Sequence, residues 1–291
     1  MSDAASGIII VISSHVMRGS VGNRAAVFAL ESLGFTVWAV PTVILPWHPG
    51  HGRATRVTLE TESFDAMLQE LAASPWAGDV KAVLSGYLGS PGQVAAVEHF
   101  VETLKARNPA VIYACDPVIG DEGGLYVPEP VAAAIRDRLL PLATIATPNR
   151  FELSWLCGVP LASNAEILDA ALALGPPRML VTSAVAMMSG STGNLYLSGH
   201  HALLAEHRMI DGAPNGTGDL MAALLLARLL EGHDEERTLQ LATASVFEIV
   251  SRSVRRGADE LTLQQDSASL SRPMALVQMR HLLHPAQKPK R

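Results

Sequence analysis

The sequence predicts an α/β fold of three layers, with a mostly parallel central sheet flanked by helices. Short apolar, β-branched runs alternate with longer amphipathic segments, the pattern of strands joined by crossover helices. The first run, residues 8–12, reads Ile-Ile-Ile-Val-Ile without alternation, as a strand buried on both faces does. Polar clusters close several of these runs: Ser13-Ser14-His15, Ser85-Gly86-Tyr87, Asp116-Pro117, Thr147-Pro148-Asn149 and Thr182-Ser183. In open α/β sheets the ligand site lies beyond the carboxyl ends of the strands.

The elements follow in order. After the strand over 8–12, residues 23–33 predict a helix stopped at Gly34, and 36–40 a second strand. Residues 64–73 predict a helix ended by Pro75, and 82–84 a short strand. A helix is predicted over 93–107, a strand over 110–114, a helix over 131–139 and a strand over 144–146. Helices over 151–157 and 165–174 precede a strand over 179–181. Residues 195–197 and 202–205 predict a hairpin turning at Gly199-His200. Two helices, 219–230 and 236–253, close the pattern, with Arg255-Arg256 expected on a solvated helix end and Met187-Met188 as core or strand filler. No linker interrupts the chain, so residues 1–283 are expected to form one domain, with a loose Pro- and Lys-containing tail over 284–291.

Composition narrows the function. The chain has 291 residues, 48% hydrophobic and 17% charged, enough apolar material for a large core. A net charge of -6 leaves no basic excess to displace counterions, so nucleic-acid binding is not expected. Neither 8–12 nor 220–230 is long enough to span a membrane, and two cysteines suit a reducing compartment, so the chain is expected in the cytoplasm. Cys115 is expected in the core. The P-loop, the Gly-x-Gly-x-x-Gly fingerprint, His-Glu-x-x-His and Gly-x-Ser-x-Gly are all absent.

One motif carries chemistry. Asn215-Gly216-Thr217-Gly218-Asp219 precedes an almost wholly apolar helix. Glycines let backbone approach a ligand, and a helix N-terminus offers free N–H groups and the positive dipole end, together an anion hole. Asp219, in the first turn, is the candidate general base. The same residues would also make an ordinary helix start, so their company matters. Asp116 and Asp121 close one strand, and Asn149 and Glu152 share a face three residues apart after the next. Asp116 and Glu152 are oxygen donors of the kind Mg2+ takes, mostly through water.

Taken in order, these segments resemble the ribokinase-like superfamily and, within it, the pyridoxal kinases. The most specific stretch is residues 14–26, Ser-His-Val-Met-Arg-Gly-Ser-Val-Gly-Asn-Arg-Ala-Ala, followed by Ser85 to Gly89, Asp116 to Asp121 with Tyr126 to Glu129, Thr147 to Asn149 with Phe151-Glu152, and Gly216 to Asp219. The resemblance implies a ribokinase-like fold and ATP-dependent phosphorylation of the 5′-hydroxymethyl group of pyridoxal, with Asp219 as base. It implies an anion hole at Gly216, Thr217 and Gly218, and metal and triphosphate organised by Asp116, Thr147 and Glu152. Nucleotide contacts are implied at Asn149, Thr182, Ser183 and the segment Ile210-Asp211-Gly212, and substrate contacts at Ser14, His48 and Tyr87. It further implies Mg2+, with room for a monovalent cation, and a homodimer. At residues 41–49 the chain departs from the family pattern, keeping His48 but placing Trp47 and Pro49 where the family has polar residues, so Trp47 is expected to supply ring stacking. Two other functions fit: a hydroxymethylpyrimidine kinase of the same fold, which usually opens with a different glycine-rich segment, and a non-catalytic B6-binding protein.

Overall fold

The computed structural model describes residues 7–285. The strands are β1 (Ile8–Val16), β2 (Thr36–Leu45), β3 (Val57–Thr58), β4 (Val80–Ser85), β5 (Ile112–Cys115), β6 (Gly120–Asp121), β7 (Gly124–Leu125), β8 (Ile145–Ala146), β9 (Arg178–Ala184), β10 (Ser191–Leu197), β11 (Ala202–Arg208) and β12 (Gln278–His281). The helices are α1 (Asn23–Ser32), α2 (Thr61–Ala73), α3 (Pro91–Arg107), α4 (Glu129–Ala134), α5 (Arg150–Cys157), α6 (Asn164–Leu174), α7 (Thr217–Leu230), α8 (Glu235–Arg255) and α9 (Ala268–Ser271).

Ten strands form one sheet in the order β12-β11-β10-β9-β8-β5-β4-β1-β2-β3. Pairings from β9 through β2 are parallel, while β10, β11, β12 and β3 join antiparallel. The pair β6-β7 is a separate ribbon.

The unbroken apolar run of β1 has the predicted cause. Ile10 and Ile12 pack into one core, with Phe64, Leu68, Val97 and Phe100 of α2 and α3. Ile9 and Val11 pack into the other, with Ala25, Leu30, Leu224 and Ile249 of α1, α7 and α8. Helix α7 is apolar all round because residues 220–228 are buried throughout. Arg228 is tolerated there because its guanidinium donates to the Leu270 carbonyl and to Glu231 Oε2.

Several expectations are corrected. The predicted helix over 131–139 is α4 followed by a wider π turn, Ile135–Leu139. Strand β1 extends to Val16, so Ser14 lies within the strand. Met187 and Met188 are exposed, because both backbone N–H groups donate to Glu206 Oε1 in a turn above β11. Arg255 and Arg256 are exposed at the end of α8 as expected, and Arg256 also donates to the buried Asp266 carboxylate. His284, expected to open the loose tail, is buried and its ring Nε2 lies 2.7 Å from the Ser198 carbonyl oxygen. Residues 286–291, the rest of that segment, lie outside the described residues.

Candidate active site

The sheet order reverses at β1, which pairs with β2 on one side and β4 on the other. A crevice opens at such a switch point, beyond the strand ends. Here Ser13 Oγ, within β1, accepts from the Tyr87 N–H after β4 at 3.1 Å. A cleft of about 710 Å³ occupies this edge. It gathers Ser14, His48, Tyr87, Asp116, Thr147, Asn149, Glu152, Thr182, Ser183, Gly216, Thr217, Gly218 and Asp219 from separate stretches of chain.

Asp219 sits half-buried in the first turn of α7. Burial lifts its carboxyl to about 6, against the counter-effect of the Gly22 N–H, which donates to it. The Leu220 N–H closes the first helical rung on the Gly216 carbonyl at 3.0 Å, which leaves the earlier N–H groups of the turn for a ligand. The two glycines have different reasons to be glycine. Gly216 has φ 93°, and a Cβ there would stand 2.1 Å from the Ser20 carbonyl oxygen. A Cβ on Gly218 would meet nothing within 4 Å, so its smallness keeps space open.

Asp116 immediately follows β5 and is buried. Thr147 Oγ1 donates to its Oδ1 at 2.8 Å, and Oδ2 has no hydrogen-bond partner among the described residues. Burial first, and the Asp219 charge second, push its carboxyl up to about 8. Glu152 is raised well above the usual carboxylate range by burial and then by Asp116. Both of its oxygens are occupied: Oε1 accepts from Ile119 and Gly120 N–H at 2.9 and 3.3 Å, Oε2 from Asn149 N–H at 2.8 Å. Asn149 completes a capping box, its Oδ1 accepting from Glu152 N–H and its Nδ2 donating to the Gly120 carbonyl.

This donor set fits Mg2+ in one respect. Asp116 offers a free hard oxygen beside the anion hole, while Thr147 acts through Asp116 and Glu152 fixes the loop around it. Among the described residues no group of three or more His, Cys, Asp or Glu side chains makes a protein cage. Such a site would hold Mg2+ chiefly through water and phosphate, the ion's usual habit.

Part of the cleft wall is apolar. Val16, Val21, Val43 and Leu45 form a small cluster against Tyr87. His48 lines it, its Nδ1 accepting from Gly50 N–H at 3.1 Å, and burial lowers its pKa. The stacking expected of Trp47 is not found. Val43 and Leu45 reach the cleft by strand alternation, but Pro46 ends β2, and Trp47 lies outside the lining with its Nε1–H donating to the Gly52 carbonyl.

A second cavity of about 250 Å³ adjoins the first, sharing Thr182, Ser183, Ala213, Thr217 and Gly218. Its walls are Ile210, Met221, Val246, Val250 and the tilted pair His207 and Phe247, whose ring centroids lie 4.8 Å apart. Gly212, expected to line it, lines neither cavity and is exposed at φ 70°. It serves the turn, and Ile210 supplies the wall. Ser183 is the one non-glycine residue with positive φ, 56°, among the described residues, a strain placed where the two cavities meet.

Two functional candidates escaped sequence reasoning. Arg56 reaches the cleft from before β3, with its guanidinium 5.1 Å from the centroid of the Tyr87 ring. Phe247 lies mid-helix in α8 beside the buried Val246, where an apolar residue reads as core. No helix among the described residues is long and apolar enough to cross a membrane.

The family model described as phosphomethylpyrimidine kinase matches residues 25–264. Pyridoxal kinase PdxY of Rubrobacter xylanophilus is 37% identical over 283 residues, covering 94% of this chain and 97% of that protein. The pyridoxine/pyridoxal/pyridoxamine kinase of Bordetella bronchiseptica is 36% identical over 265 residues, covering 88% and 92%. Among solved structures, pyridoxal kinase from Leishmania donovani in complex with ADP and pyridoxamine superposes with a TM-score of 0.88 at 28% identity, covering 95% of this chain and 100% of that one.

Proposed function

The chain belongs to the pyridoxal kinase family, of ribokinase-like fold, and from that premise we propose how its cleft transfers a phosphoryl group from ATP to the 5′-hydroxymethyl group of pyridoxal. The observation that carries the reading is the half-buried Asp219 carboxylate beside the open N–H groups of the α7 first turn, within one cleft.

Phosphoryl transfer asks a protein for positioning and charge stabilisation more than for covalent chemistry. Asp219 takes the proton of the acceptor hydroxyl as the oxygen attacks. The N–H groups of Thr217 and Gly218 hold the transferring group, with Gly216 setting the turn. Ser14, His48 and Tyr87 position the acceptor ring over the Val43 and Leu45 surface. Asn149, Thr182, Ser183 and Ile210 shape the nucleotide side, which supports placing the base of ATP in the smaller cavity. Mg2+ bound at Asp116 would neutralise charge on the triphosphate. Glu152 and Thr147 keep the Asp116 region rigid.

We further propose that residues 1–283 act as one domain, which the continuous ten-stranded sheet supports. A homodimer and a cytoplasmic location complete the proposal, by likeness to the family. A hydroxymethylpyrimidine kinase is the second reading, favoured by the description of the matching family model. The test is ATP turnover with Mg2+ on pyridoxal, pyridoxine, pyridoxamine and hydroxymethylpyrimidine, read by product mass, with and without K+. Pyridoxal 5′-phosphate as the main product is expected; turnover of the pyrimidine alone would replace the substrate while keeping Asp219 as base.

A further inference from the structure

Arg56 is the only Lys or Arg lining either cavity among the described residues. We propose that Arg56 sets specificity among B6 vitamers by charge, favouring acceptors whose ring substituents are anionic or neutral over one that carries a cationic aminomethyl group. The inference rests on the kinase reading above and deepens it.

The position of Arg56 is fixed by the sheet. It immediately precedes β3, whose Thr58 and Val57 pair with Val43 and Ile44 of β2, and Val43 lines the same cleft. The guanidinium carbon stands 5.1 Å from the Tyr87 ring centroid, within cation–π range. Its Nη2 packs 3.2 Å from where a Cβ on Gly89 would stand, so the glycine makes room for it.

No carboxylate pairs with Arg56 among the described residues, so its charge is available to a ligand. The four carboxylates of the cleft, Asp116, Asp121, Glu152 and Asp219, all come from segments at or beyond β5. The cleft is thus lined by one permanent cation, held over the Tyr87 ring, and by four carboxylates carried on later segments. A guanidinium remains charged throughout the working pH range and presents planar donors to an oxyanion. All B6 vitamers carry an acidic ring hydroxyl, which Arg56 attracts. Pyridoxamine alone adds an ammonium beside it, which Arg56 repels.

The test is kcat/KM of the full-length enzyme with MgATP for pyridoxal, pyridoxine and pyridoxamine, in wild type, Arg56→Gln and Arg56→Lys. Wild type is expected to favour pyridoxal and pyridoxine over pyridoxamine by up to about fivefold, the scale of one exposed charge pair. Arg56→Gln should bring that ratio close to one, mainly through KM, with Tm within about 2 °C because the residue is exposed. Arg56→Lys keeps the charge and should keep the preference. An unchanged ratio in Arg56→Gln overturns the proposal, as does an equal loss of preference in both variants, which would trace it to ring packing instead of charge. Pyridoxal turnover by wild type is a separate readout: its presence with an unchanged ratio sinks this inference alone, and its absence for every vitamer sinks the kinase reading with it.

Discussion

The Gly22 N–H donates to the Asp219 carboxylate, joining the turn before α1 to the first turn of α7. Gly22 can make this contact because it has φ 55°, and a Cβ there would stand 2.3 Å from the Ser14 carbonyl oxygen. The base is therefore held by backbone that packs closely against Ser14 of the acceptor site.

Because the carboxyl of Asp219 lies at about 6, its base form is lost as pH falls through that value. The kcat/KM for the acceptor should fall about tenfold per pH unit below 6 and level off above it. Asp219→Asn should lower kcat by about 10²–10⁴ and remove that acid limb. A pH–rate profile that keeps its acid limb in the variant would assign the limb to another group.

Asp116 gives a stability prediction of definite sign. Its carboxyl is raised to about 8 in the folded protein, against about 3.9 in an unfolded chain. Below the unfolded value both states are protonated and the group costs nothing. As pH rises from there to about 8, the unfolded state releases its proton more readily, and folding stability is progressively lost. Asp116→Asn, which can still accept from Thr147 Oγ1, should raise the Tm of the ligand-free protein at pH 8 and leave it nearly unchanged at pH 4. The same variant should lose Mg2+-dependent turnover. Thermal melts at both pH values check it.

Much of this arrangement was legible in the sequence, and the omissions have physical causes. The β1 run and the Gly216-to-Asp219 turn are local patterns, and each predicts its structure from neighbours in the chain. Glu152 was legible as a carboxylate, but not as one whose oxygens are filled by Ile119, Gly120 and Asn149 N–H groups, because two of those donors lie more than thirty residues away. Strand β12 was missed because Gln-Met-Arg-His carries no apolar run; as an edge strand it pairs only with β11. Arg56 was missed for a related reason. Nothing in the local pattern of residues 53–58 predicts that β3 will pair with β2 and carry it to Tyr87.

The two glycines of the anion hole should separate stability from binding. Gly216→Ala forces a side chain into positive φ and onto the Ser20 carbonyl, at a cost of about 1–3 kcal/mol. Its Tm should fall. Gly218→Ala adds a methyl that meets no protein atom within 4 Å, so its Tm should stay near wild type. That methyl enters space shared by both cavities, and the KM for ATP should rise about tenfold or more, the usual effect of one misplaced carbon in a pocket. Melting curves beside ATP titrations would refute the distinction if both variants lost stability alike.

Glu260 fastens the segment around His48. Its Oε1 lies 2.8 Å from His51 Nε2 and 3.7 Å from an Arg18 guanidinium nitrogen, while Oε2 accepts from Ser20 N–H at 3.1 Å. The carboxylate thus bridges residues 18–20, which follow β1, and the turn that begins at His48, which lines the acceptor end of the cleft. Partly exposed pairs of this kind contribute about 0.2–1 kcal/mol, so removing them should let the turn open up to about fivefold more often without unfolding the protein. Glu260→Ala should speed amide exchange across residues 48–52 and raise the acceptor KM by a similar factor, while kcat holds. Glu260→Gln retains an acceptor for Ser20 N–H and should fall between the two. Exchange rates over 48–52 equal in wild type and Glu260→Ala would show that the turn is held by Pro49 and the Trp47 Nε1–H bond to Gly52 instead.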